Sequence, residues 1–73
     1  MARIEIRAEV AGKVWKIEAG PGAVLAEGAP VLILESMKME VPVEAPRAGT
    51  LVELRVGPDE LVEEDQLLAV LEV

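Results

Sequence analysis

The central fourteen residues, Val31-Leu32-Ile33-Leu34-Glu35-Ser36-Met37-Lys38-Met39-Glu40-Val41-Pro42-Val43-Glu44, join a continuous apolar run to an alternating one. Val31 to Leu34 reads as a strand buried on both faces. From Met39 to Glu44, Val41 and Val43 alternate with Glu40 and Glu44, the pattern of a half-buried strand. Pro42 lies inside that alternation and places this second strand at a sheet edge. Taken as one strand, the stretch exceeds the usual range of roughly 3–10 residues.

Outward from this stretch the same texture continues. Ile4, Ile6, Ala8 and Val10 alternate with Arg3, Glu5, Arg7 and Glu9. Val14 to Glu18 reads as a strand with Trp15 and Ile17 on one face. Gly20-Pro21-Gly22, Gly28-Ala29-Pro30, Ala45 to Gly49 and Gly57-Pro58-Asp59 punctuate the chain as turns and loops. Val24-Leu25 and Leu61-Val62 are short apolar pairs, and Leu51–Val56 and Leu67–Val73 read as strands. No segment holds a 3.6-residue period over three turns, so the fold class is all-β.

An internal repeat runs at an offset of 37 residues. Ala11-Gly12 matches Ala48-Gly49, Gly20-Pro21 matches Gly57-Pro58, Glu27 matches Glu64, and Leu34-Glu35 matches Leu71-Glu72. Apolar positions keep step between these matches. Two copies of one β-motif predict a single domain over 1–73, with half repeats about 2–36 and 39–73. They would form a sandwich or flattened barrel with approximate two-fold symmetry. That symmetry requires the central stretch to reverse near Met37-Lys38. Yet its middle holds no Gly, Asn, Asp or Pro, the residues a tight hairpin favours. The expected two-residue turn places non-glycine residues at positive φ, and such a conflict between local rule and global need marks a functional position.

Composition narrows the chemistry. With 73 residues there is room for one core. No cysteine or histidine is present, which removes disulfides, thiolate metal sites and the commonest general base. The net charge of −7 disfavours nucleic acid and anionic membranes as partners. No apolar run approaches the ~20 residues of a membrane helix, and the opening Met1 to Arg7 is unlike a secretory leader. The expectation is a cytoplasmic protein. The acidic cluster around Asp59-Glu60 and Glu63-Glu64-Asp65 lacks the spacing and glycine of a calcium loop and reads as a solvated face. Trp15, the one aromatic residue, reads as core or half-buried packing.

Glu35-Ser36-Met37-Lys38-Met39-Glu40 resembles the attachment motif of biotinyl carboxyl carrier domains, and the likeness extends over the whole chain. The short, free-standing biotin/lipoyl attachment proteins show a similar Ala-Gly-x-x-Trp-Lys pattern, here Ala11 to Lys16. The resemblance implies two four-stranded antiparallel sheets related by a pseudo-two-fold, with Lys38 at a hairpin tip. It also implies covalent biotin on Lys38, installed by a biotin protein ligase that activates biotin as its adenylate. Met37 and Met39 would be partly exposed beside the lysine and contact that ligase, and Glu35 and Glu40 are further ligase-recognition candidates. The implied task is non-catalytic: tethered biotin carries CO2 from a biotin carboxylase to a carboxyltransferase, and tethering raises its effective concentration at both sites. The isolated domain is expected to be a monomer.

The residues alone agree that Lys38 needs an outside catalyst. A free lysine is almost entirely protonated at neutral pH, with fewer than about one in a thousand neutral. Glu35 and Glu40 would stabilise the ammonium rather than act as its base. Amide formation would take the net charge from −7 to −8. The alternative cofactor is lipoate on the same lysine, serving 2-oxo acid dehydrogenase or glycine-cleavage chemistry. Lipoyl domains usually show Asp-Lys-Ala, whereas Ser36, in place of the usual Ala before Met-Lys-Met, keeps that alternative open. A Schiff-base enzyme would need a pocket and an activating neighbour. A nucleic-acid-binding barrel would need several aromatic residues, not one.

Overall fold

A computed structural model describes residues 2–73. Met1, part of the expected domain, lies outside the described residues. The chain forms β1 (Arg3–Arg7), β2 (Gly12–Ile17), β3 (Val24–Leu25), β4 (Pro30–Ser36), β5 (Met39–Glu44), β6 (Gly49–Leu54), β7 (Leu61–Val62) and β8 (Leu67–Glu72). Among the described residues there is no helix, and none is therefore long and apolar enough to cross a membrane.

All strand pairings are antiparallel. Sheet A has the order β1-β8-β6-β3 and sheet B the order β5-β4-β2-β7. Adding 37 to each strand of the first half gives its counterpart in the second, and the two sheet orders are then identical. The pseudo-two-fold predicted from the repeat is thus realised strand for strand. The inner faces meet in a core that includes Val14, Leu32, Leu34, Leu51, Leu68 and Leu71, each fully buried. Burying a side chain of this size is worth about 1.5–3 kcal/mol.

The symmetry reaches individual residues. Gly22 and Gly28 adopt positive φ, and the residues 37 positions on, Asp59 and Asp65, do so as well, at 66° and 69°. The Gly22 N–H donates to the Leu51 carbonyl at 2.7 Å, and the Asp59 N–H donates to the Val14 carbonyl at 2.8 Å. Register shifts fall between Val14 and Lys16 on β2 and between Leu51 and Glu53 on β6. A second pair of shifts falls at Val31 on β4 and at Leu68 on β8, each the extra residue of its bulge.

These bulges correct two readings. Val31–Leu34 is not buried on both faces. The bulge at Val31 turns both Val31 and Leu32 inward, and Ile33 then faces outward with part of its surface exposed. Trp15 does not share a face with Ile17 and is not core. It is the extra residue of the β2 bulge, half exposed, while Ile17 packs against the core. The edge position of the Pro42 strand holds, since β5 borders sheet B.

Candidate functional site

Strands β4 and β5 pair in unbroken register from Ile33↔Pro42 through Leu34↔Val41 and Glu35↔Glu40 to Ser36↔Met39. Only Met37 and Lys38 remain to connect them. Both lie in the left-handed region, Met37 at φ 52° and Lys38 at φ 65°. A two-residue hairpin loop with both central residues at positive φ matches the twist of its strands and normally carries Asn-Gly. Methionine and lysine bear a penalty of roughly 1–2 kcal/mol per residue there. The hairpin persists because its root is fixed: Leu34 is fully buried and holds β4 in the core.

Gly12 holds the same root from the other side. A Cβ at Gly12 would sit 2.6 Å from the Glu35 carbonyl oxygen and 3.4 Å from the Ser36 Cβ. Strand β2 therefore approaches the end of β4 at a distance only glycine permits. Its counterpart Gly49 is blocked in the same way by the Glu72 carbonyl. The sequence carried this signal as the repeated Ala-Gly pair.

The turn is open to solvent. Lys38 is exposed, as are Met37 at 92% and Met39 at 67%. The thioethers flank the amine instead of filling the core, the more usual role of methionine. Glu35 and Glu40 face each other across the two strands, both exposed. Neither pairs with Lys38. Among the described residues the ion pairs join Arg3 to Glu72, Arg7 to Glu5, Lys13 to Asp59, Lys16 to Glu18 and Arg55 to Glu53. The expected stabilisation of the ammonium by these two carboxylates is thus at most long-range.

A half-open cleft of about 230 Å³ lies elsewhere, between the edges of β1 and β5. It is rimmed by Glu5, Arg7, Glu9 and Glu44 and floored by Leu34 and Val41, and Lys38 is not part of it. Arg7 is locked at its rim, donating to Glu5 Oε1 at 2.8 Å and to the Asp65 carbonyl at 2.9 Å. The Glu5 hydrogen bond, more than its charge alone, raises the Arg7 pKa further above its already high value.

An exposed primary amine at the strained tip of a symmetric eight-stranded sandwich can be acylated from outside without disturbing the fold. The comparisons with known proteins agree with that geometry. The family model described as "Biotin-requiring enzyme" (Biotin_lipoyl) matches residues 5–71. The chain belongs to the biotin/lipoyl attachment family. Within that family it is 38% identical over 60 residues to the biotin/lipoyl attachment protein of Bacillus subtilis, covering 82% of each chain. It is 38% identical over 68 residues to human mitochondrial pyruvate carboxylase, covering 93% of this chain and 6% of that one. Urea carboxylase of Kluyveromyces lactis superposes with a TM-score of 0.92 at 29% identity, covering 99% of this chain and 6% of that one. The chain thus spans most of the small bacterial relative and a minor part of the two carboxylases. For a biotin/lipoyl attachment domain the site fits its group: Lys38 Nζ is accessible, unpaired by any carboxylate among the described residues, and joined to a rigid strand pair.

Proposed function

We propose that this chain is a biotin carboxyl carrier, that residues 1–73 form one attachment domain, and that Lys38 Nζ is the point of covalent attachment. The carrying observation is the Met37-Lys38 turn, which holds an exposed amine at the tip of two strands rooted in the core. When bound through an amide to Lys38, biotin supplies a ring nitrogen able to hold a carboxyl group between two active sites. The chain itself holds and presents. Strands β4 and β5 keep the amine clear of the body, and the exposed Met37 and Met39 offer apolar contact on either side of it. Glu35 and Glu40 add a like-charge pair below the turn that an incoming enzyme can read.

The partners follow from this reading. A biotin protein ligase acylates Lys38, a biotin carboxylase loads the arm and a carboxyltransferase unloads it. The domain is a cytoplasmic monomer with no catalytic residue of its own. What supports the last point is the position of Lys38, exposed and lining neither the β1–β5 cleft nor the shallow one beside Met37, without the enclosing pocket and activating neighbour that Schiff-base chemistry needs. Biotin is preferred over lipoate on the Met-Lys-Met sequence and on the likeness to two carboxylases.

Intact mass spectrometry tests the proposal on protein made in cells supplied with both biotin and lipoate. One biotinyl increment is expected on the wild type and none on Lys38→Ala. A lipoyl increment would reassign the cofactor, and an increment surviving in Lys38→Ala would remove Lys38 from the site.

A further inference from the structure

The hydrophobic interior is built without methionine. Every side chain of the buried core, and every one packed against it, is Ala, Val, Ile or Leu. Methionine is a common filler of such interiors. Two of the three methionines, Met37 and Met39, stand instead on either side of Lys38, and both are exposed, Met37 almost completely.

Neither can retreat. Met37 is one of the two residues left between paired strands, and Met39 closes the last rung with Ser36. Nor does the fold ask for them. Val24 and Leu61 are also large and exposed, but they stand 37 residues apart at equivalent positions, so the architecture places them there. Met39 is matched by Ala2, and Met37 falls in the part of the chain that the repeat skips.

Sulfur gives this exposure a chemical meaning that hydrocarbon would not. Methionine is oxidised to a sulfoxide, which turns a flexible apolar side chain into a polar one, and the change is enzymatically reversible. The chain contains no cysteine. No thiolate therefore competes with the two thioethers for an oxidant that takes two electrons at a time.

We propose that Met37 and Met39 form a reversible oxidation site for hydroperoxides, and that their sulfoxide form hinders acylation of Lys38. This inference rests on the carrier reading above. A sulfur lone pair attacks one oxygen of hydrogen peroxide. The S–O bond forms as the O–O bond breaks, and the departing hydroxide takes the proton left on the transferred oxygen and leaves as water. Sulfur is oxidised by two electrons and the peroxide is reduced by two. A methionine sulfoxide reductase reverses the change: two electrons and two protons from a pair of thiols return the thioether, with water and a disulfide as products.

The geometry makes acylation the sensitive step. Before attachment the reacting atom is Lys38 Nζ itself, at the end of a four-carbon stem. An enzyme that closes on it closes also on the residues directly before and after it. Once biotin is attached, its ring works farther out than either methionine. A sulfoxide oxygen covered by apolar surface without a donor carries the usual cost of burying an unpaired polar group. The fold is indifferent, because neither methionine belongs to the core.

The test treats the whole apo-chain with hydrogen peroxide, destroys the excess with catalase, and measures biotin attachment by a bacterial biotin protein ligase that modifies the untreated chain. Peptide mapping is expected to find one added oxygen on each of Met37 and Met39. The kcat/KM for the chain is expected to fall about tenfold with an unchanged thermal midpoint. Methionine sulfoxide reductases A and B with dithiothreitol should restore it. The variant Met37→Leu/Met39→Leu, whatever its own rate, should give the same rate before and after peroxide. An oxidised chain acylated as fast as the untreated one overturns the inference, as do two sulfurs left unoxidised, a loss the reductases do not reverse, or a loss the double leucine variant shares. An untreated wild-type chain that accepts no biotin from any ligase overturns the carrier reading itself, and this inference with it.

Discussion

Gly12 and Gly49 are kept as glycine by the same collision at two related places, and only one of the two lies beside Lys38. An alanine at either position drives a Cβ into a backbone carbonyl, of Glu35 or of Glu72. Backbone cannot rotate away as a side chain can, so a cost of about 1–3 kcal/mol is expected for each. At roughly 4–8 °C per kcal/mol for a domain of this size, both Gly12→Ala and Gly49→Ala should lower the thermal midpoint measurably. Gly20→Ala, where nothing lies within 4 Å, should leave it nearly unchanged. The two destabilised variants should separate in ligase assays of the folded protein. Gly12→Ala displaces the end of β4 that carries the hairpin and should slow biotin attachment, whereas Gly49→Ala should not. Equal attachment rates would show that the hairpin is insensitive to its root. The left-handed aspartates show what residue-level reading leaves undetected. Asp59 and Asp65 look like members of an acidic run, yet the repeat aligns them with Gly22 and Gly28 and so already contained their backbone conformation.

The hairpin of β4 and β5 stores strain that its sequence could easily have avoided. Replacing Met37-Lys38 by Asn-Gly supplies the residues this turn geometry favours. The double variant Met37→Asn/Lys38→Gly is expected to gain about 1–2 kcal/mol and several degrees in thermal midpoint, while losing biotin incorporation entirely. A lowered midpoint would mean that the two side chains are not strained in place. This element was legible in advance because two levels disagreed: a fourteen-residue extended run had to reverse where no turn residue was present. One edge was legible too, β5 through Pro42; the other, β1, was legible only as a half-buried strand, and its outward Arg3, Glu5 and Arg7 now discourage pairing with another chain. The bulges were not legible. Val14-Trp15-Lys16 and Pro30-Val31-Leu32 contain no glycine to announce them, and a bulge is imposed by how the two sheets close over a shared core. Missing them set Trp15 on the same face as Ile17 and made β4 look buried on both faces. The Met37-Lys38 turn could be found from local sequence because its constraint is local. The outward position of Trp15 emerged only from the register of β2 against β4.

At the scale of the whole molecule the halves interlock. The inner strands of sheet A, β8 and β6, come from the second half and its edges, β1 and β3, from the first; sheet B reverses the arrangement. Neither half can complete a sheet alone. Unfolding of the full chain is therefore expected as one transition, with Trp15 fluorescence and far-UV circular dichroism falling on a single curve. A peptide of residues 2–36 should show no β spectrum by itself. Separated transitions, or a folded half, would contradict the interlock. The symmetry also fixes where the chain enters and leaves. Ala2 and Val73 exchange backbone hydrogen bonds at 2.8 and 3.2 Å, at the place related by the pseudo-two-fold to the Ser36↔Met39 pair. Strand β1 runs from there toward Gly12 and the hairpin root, which puts the chain ends and Lys38 at opposite poles of a body 36 Å long. Mechanically the domain is a strut, and an enzyme that engages the lysine at one pole leaves the Ala2–Val73 bridge at the other untouched, a body length of 36 Å away.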